Sequence, residues 1–136
     1  MAVMQSEVQV AINGATALIT ARQRVRELAV QVGLSNTDSV IVATVVSELA
    51  RNIIAYATRG EIILREIRNG HAEGLEVVAV DEGPGIVDVG LALQDGYSTS
   101  GGLGLGLPGV RRLMDEFHIW SEPGKGTAVT VRKWRR

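Results

Sequence analysis

Three groups of residues in this chain have the types and spacing to do chemistry. Glu48 and Asn52 stand four apart in a segment of helical period, so they share one helix face. The amide oxygen of Asn52 suits a hard cation such as Mg²⁺, which prefers oxygen ligands and keeps several waters. The Glu48 carboxylate can orient or deprotonate a nucleophile. The plain alternative is a solvated Glu–Asn surface pair. Asp81 closes an apolar strand, with Gly83 and Gly85 just beyond it. A partly buried carboxylate with open space before it can accept from an exocyclic amine such as that of adenine. A tight Asp–Gly turn is the alternative there. The third group is Gly102, Gly104 and Gly106, alternating with Leu103, Leu105 and Leu107. Close backbone approach, followed by a helix start with unpaired N–H groups, makes an anion cradle, most often for phosphate. A glycine linker before an ordinary helix would have the same composition.

Other motifs fail on inspection. Gly124-Lys125-Gly126-Thr127 imitates the tail of a Walker A loop, but Ile119 occupies the required upstream glycine position. No H-R-D catalytic loop is present, and the glycine run does not match G-x-G-x-x-G after a first strand. His71 and His118 lack metal-ligand companions, and Trp120 and Trp134 read as packing on a sheet.

The elements that must position these groups follow from periodicity. An alternating strand is expected at 6–12, then a helix at 15–32 closed by Gly33 as its C′ residue. A second helix is expected over about 36–56, with Asn36, Thr37 and Asp38 as N-cap candidates and a stripe of Val42, Val46, Leu49 and Ile53. Strands at 61–67 and 75–80 flank an Asn69-Gly70 turn. A loop at 86–101 leads to a helix at 108–117, then strands at 118–121 and 127–134. The order β-α-α-β-β-α-β-β is that of an α+β domain: one mixed, mostly antiparallel sheet with helices on one face.

At 136 residues the chain is expected to be a single domain, 1–136, with an aliphatic core, since aromatics are only 4%. Cysteine is absent, which excludes disulfides and thiolate metal sites. No signal-peptide pattern and no apolar run of about 20 residues are seen, so a cytoplasmic protein without membrane contact is expected. A net charge of −1 gives no overall pull toward nucleic acid. The charges are uneven. Glu73, Glu76, Asp81, Glu82, Asp88 and Asp95 crowd the middle, and Arg111, Arg112, Arg132, Lys133, Arg135 and Arg136 the end. That asymmetry fits a docking face or a merely solvated surface.

Taken together and in this order, the three groups resemble the N, G1 and G2 boxes of the ATP-binding fold shared by gyrase, Hsp90, histidine kinases and MutL, the Bergerat or GHKL fold. Gly126-Thr127 resembles its fourth element, beside the base. Within that group, SELARNIIAYA (47–57), DEGPGI (81–86) and DGYSTSGGLGLGLPGVRRLMDEF (95–117) resemble the RsbT-type serine/threonine switch kinases of the stressosome. Related anti-sigma kinases usually carry a histidine shortly after the N-box asparagine, where Tyr56 and Ala57 stand here.

The resemblance implies Mg-ATP held between the helix layer and the loop at 86–103. Asp81 would accept from the adenine amine with Thr127 nearby, and Gly83 and Gly85 would let base and sugar approach. Asn52 would hold Mg²⁺, and the backbone of Gly102, Leu103, Gly104, Leu105, Gly106 and Leu107 would cradle the phosphates. Glu48 would be the general base toward a serine hydroxyl. The implied acceptors are STAS-domain scaffold and antagonist proteins. The implied later partner is a PP2C-type phosphatase, which the freed kinase binds and activates. Acidic residues such as Asp88 and Asp95 would then repel the phosphorylated partner, and neutralising them should slow its release. Three other readings stay open: an anti-sigma factor with nucleotide-dependent docking, a detached histidine-kinase catalytic domain, and a non-catalytic nucleotide-bound scaffold.

Overall fold

A computed structural model of the chain describes residues 7–57, 59–85 and 106–136. Gly102, Leu103, Gly104 and Leu105, together with Asp88 and Asp95, lie outside the described residues. The elements, in chain order, are β1 (Glu7–Ile12), α1 (Ala15–Val32), α2 (Asn36–Tyr56), β2 (Gly60–Asn69), β3 (Ala72–Asp81), α3 (Gly106–Leu113), β4 (Glu116–Glu122) and β5 (Gly126–Trp134).

Helix α1 ends as its sequence dictates. Gly33 takes φ 87°, its N–H bonds to the Val30 carbonyl, and the Leu34 N–H reaches back to Ala29. This is a Schellman closure, with the buried Leu34 folded under the helix end. Helix α2 is capped by Ser35, whose Oγ accepts from the Asp38 N–H at 3.1 Å. The cap is therefore one residue before the expected Asn36–Asp38 group, and Asp38 instead places its charge in the first turn. All four stripe residues, Val42, Val46, Leu49 and Ile53, are buried. By length and composition α2 could cross a membrane, yet half of that window is buried inside the fold.

The five strands form one sheet in the order β1-β2-β3-β5-β4, and every pairing is antiparallel. The expected mixed sheet is thus antiparallel throughout. Alternation assigns the two faces. Val10, Ile12, Ile62, Leu64, Val77, Ala79, Val129 and Val131 join the same core as Ala21, Val25, Leu28, Val42, Leu49 and Ile53, so the helices cover that face. The other face carries a row of charges in register across all five strands: Glu7, Arg65, Glu76, Arg132, Glu116. Arg65 contacts Glu7 at 2.6 Å and Glu76 at 3.1 Å; Arg132 contacts Glu76 at 2.9 Å and Glu116 at 3.4 Å. Trp120, expected to pack, lies on this face and is 53% exposed.

Among the described residues, part of the acidic-middle, basic-end asymmetry is internal pairing, Glu76 with Arg132 and Glu73 with Arg135. One expectation is corrected here. The third helix does not run 108–117. It covers Gly106–Leu113, after which the Asp115 N–H bonds to the Arg132 carbonyl and the chain enters β4. Lys133, only 6% exposed, donates to the Leu113 carbonyl at 2.8 Å and so closes the helix end. Its ammonium also lies 3.7 Å from Asp115 and 3.9 Å from Asp38 at the start of α2.

Candidate functional site

The site is built around the C-terminal half of α2 and the sheet end that faces it. Antiparallel register places Ile12, Gly60, Asp81, Thr127 and Ser121 in one transverse row. Directly opposite residues share a face, and this row lies on the helix-covered one. Asp81 is half-buried at the end of β3, and its Oδ1 accepts from the Gly83 N–H at 2.8 Å. Its Oδ2 has no hydrogen-bond partner among the described residues. Beside it, the Thr127 and Ser121 hydroxyls are 2.9 Å apart, and Ser121 also donates to the Gly126 carbonyl at 3.1 Å.

Glycines let α2 close on this row. A Cβ at Gly60 would lie 2.9 Å from Ile53 Cγ2 and 3.1 Å from Asp81 Cβ. A Cβ at Gly83 would lie 2.8 Å from Ala57 Cβ and 3.1 Å from Asp81 Oδ1. At Gly85, φ 77°, it would strike the Glu122 carbonyl, and at Gly126, φ 119°, that of Asp81. The space freed at Gly83 and Gly85 is thus taken by protein. Their absent side chains seat the turn on α2 and on the β4–β5 connection, where Gly124 N–H bonds to the Pro84 carbonyl at 2.8 Å.

Asn52 is half-buried and precedes Ile53, so its helical turn is the one resting on Gly60. Glu48, one turn earlier, is 1% exposed, with its Oε1 3.3 Å from the Arg51 guanidinium. It is not the solvated surface residue of the plain reading. A carboxylate removed from water is tolerable only when paired and hydrogen-bonded. Helix α3 packs against α2 and begins at Gly106, φ 66°, with Leu107 buried. Among the described residues, Glu48 and Asn52 lie on α2, Gly83 packs on Ala57 of the same helix, α3 packs against it, and Thr127 pairs with Asp81 on the sheet. Gly85 sits at the outer turn.

A model of the histidine kinase-like ATPase domain matches residues 13–133. The chain belongs to the histidine kinase-like ATPase family. Its similarity to serine/threonine-protein kinase RsbT of Bacillus subtilis is 46% identity over 119 residues, 88% of this chain and 90% of that protein. The anti-sigma F factor of Caldanaerobacter subterraneus is 32% identical over 118 residues, covering 84% of this chain and 82% of that one. Among solved structures, the RsbU and RsbW domains of a Mycobacterium tuberculosis protein superpose with a TM-score of 0.66 at 19% identity. That match covers 96% of this chain and 33% of the other, and it speaks to the fold alone. These findings support an ATP-binding protein kinase of the GHKL type.

Within the family frame, two residues escaped the reading of motifs. Ser121 belongs to no motif, but it shares the parity of Phe117 and Ile119 on β4, which would have aimed it at the helices. Gly60 matters through contacts across the chain and carries no local signal.

Proposed function

We propose that the chain is one kinase domain, 1–136, that uses Mg-ATP to phosphorylate serine or threonine on STAS-domain scaffold and antagonist proteins. Once released, it binds and activates a PP2C-type phosphatase in a partner switch. The observation that supports the reading is the seating of Ile53 and Ala57 of α2 on Gly60 and Gly83, the two glycines that flank Asp81. Similarity to a serine/threonine-protein kinase supports a serine or threonine acceptor.

In this reading Asp81 Oδ2 accepts from the adenine amine, and the Thr127 hydroxyl lies beside it. The first turn of α3 would offer backbone N–H groups to the phosphates. Among the described residues no three His, Cys, Asp or Glu side chains cluster as a metal cage. A lone amide oxygen from Asn52 still fits Mg²⁺, which takes few protein ligands and completes its shell from phosphate and water. That ion, when bound, would supply positive charge to offset that of the phosphates. Phosphoryl transfer depends on positioning and charge stabilisation. The acceptor oxygen forms its bond to the γ-phosphorus as the bridge to ADP breaks. Glu48 takes the hydroxyl proton.

Mixing the protein with ATP, Mg²⁺ and a STAS-domain partner, then mapping phosphate by mass, tests the proposal. One acid-stable phosphoserine or phosphothreonine on the partner is expected. Acid-labile phosphate would instead indicate a detached histidine-kinase catalytic domain. The likeness to anti-sigma F factor favours a second reading, nucleotide-dependent docking to a sigma factor. Capture of sigma factor without transfer to the STAS protein would establish it.

A further inference from the structure

We infer that Ser121 sets the pocket's preference for a 6-amino purine by fixing the direction of the Thr127 hydroxyl. This rests on the nucleotide reading above. A serine hydroxyl has one proton to donate. Ser121 commits it to the Gly126 carbonyl at 3.1 Å, an oxygen that can only accept. The 2.9 Å contact between Ser121 Oγ and Thr127 Oγ1 then takes its proton from Thr127. Thr127 Oγ1 is left with lone pairs alone for any third partner.

Asp81 completes the pattern. Its Oδ1 is occupied by the Gly83 N–H, and its carboxylate offers only acceptors. The Gly126 carbonyl that anchors the chain of bonds is itself held in place. At φ 119° the Gly126 backbone packs so closely on the Asp81 carbonyl that no side chain fits. The row Asp81–Thr127–Ser121 therefore presents acceptors and no donor to a base laid against it. The amine of a 6-amino purine donates to such a row. The oxygen of a 6-oxo purine meets a third set of lone pairs. Sites that orient buried polar groups in this way discriminate by leaving the wrong partner unpaired.

Affinities for ATP and ITP, measured by competition titration, test the inference: ITP carries an oxygen in place of the 6-amine and a proton on N1, so the change in their ratio between variants is what is read. Ser121→Ala frees the Thr127 proton to turn toward a 6-oxo group. It should raise ITP affinity relative to ATP by about three- to ten-fold, the range of one neutral hydrogen bond. Ser121→Thr, which keeps the hydroxyl, should hold the wild-type ratio. The double variant Ser121→Ala/Thr127→Val should show no gain for ITP, since the gain needs the threonine proton. A loosened pocket would admit ITP in the double variant too. Should the alanine variant not fold, Ser121→Cys, with its weak donor, should shift the ratio in the same direction. An unchanged ATP-to-ITP ratio in a folded Ser121→Ala protein overturns the inference, as does an ITP gain that survives in the double variant. Asp81→Asn separates the two levels. If it weakens ATP while Ser121→Ala leaves the ratio unmoved, only the Ser121 assignment fails. If it alters neither nucleotide, the base pocket fails, and the inference with it.

Discussion

At the scale of single residues, the two carboxylates of the site differ in their surroundings. Asp81 keeps one oxygen on its own turn, and the other has no partner among the described residues. Glu48 is enclosed by α2 packing and held near Arg51. The first suits recognition and the second suits a fixed proton acceptor. Asp81→Asn should weaken ATP roughly 10- to 100-fold, in the range of a charged hydrogen bond. It should leave inorganic triphosphate nearly unaffected, and equal losses by titration would remove Asp81 from the base pocket. Glu48→Gln, which keeps the buried shape, should lower phosphoryl transfer by about 10²–10⁴-fold while ATP affinity holds. Single-turnover transfer to a STAS-domain partner reads this directly, and transfer within a few-fold of wild type would exclude Glu48 as the base.

At the scale of elements, legibility depended on whether a boundary is local. Helix α1 was readable at both ends because its apolar period and Gly33 lie within its own sequence. The start of α2 was blurred because Ser35, Asn36, Thr37 and Asp38 can all cap, and only one does. The end of α3 was misplaced for a different reason. Val110, Leu113, Met114 and Phe117 keep helical spacing, but Phe117 pairs with Val131 on β5, a partner that local periodicity cannot reveal. The site followed the same rule. Asp81 and Asn52 showed in spacing, whereas Ser121 and Gly60 became visible only through register. Lys133 is the long-range tie that fixes α3. Lys133→Met should cost about 2 kcal/mol, because it leaves the Leu113 carbonyl and Asp115 without their buried ammonium. Amide hydrogen exchange should quicken in residues 106–113 more than in α1. Uniform quickening would mean Lys133 serves the whole fold rather than this helix.

At the scale of the molecule, the charged row from Glu7 to Glu116 ties strands far apart in sequence. Glu76, 5% exposed, is its centre. Hydrogen bonding to Glu7 raises the Arg65 pKa above its ordinary value, and hydrogen bonding to Glu76 does the same for Arg132. A base whose folded pKa is raised adds stability below its unfolded pKa, and that stability is lost only as pH rises through the folded value. For these two guanidinium groups the loss falls above the ordinary arginine range, so they remain charged throughout the working range. Glu76→Gln should destabilise the fold by about 1–3 kcal/mol, as expected for lost charge-assisted bonds. The effect should shrink in high salt, because Arg65 and Arg132 are part-exposed. A chemical melt at two ionic strengths checks both.

Because the same five strands hold Asp81 on one side and Glu76 on the other, odd and even positions carry separate duties. Deleting a single residue between Glu122 and Gly126 would exchange those duties along β5 if the strand re-paired by one step. Thr127 would then turn outward and an arginine would be driven into the interior. Evolutionary changes of length are thus confined to steps that preserve parity, or to bulges that absorb the odd residue.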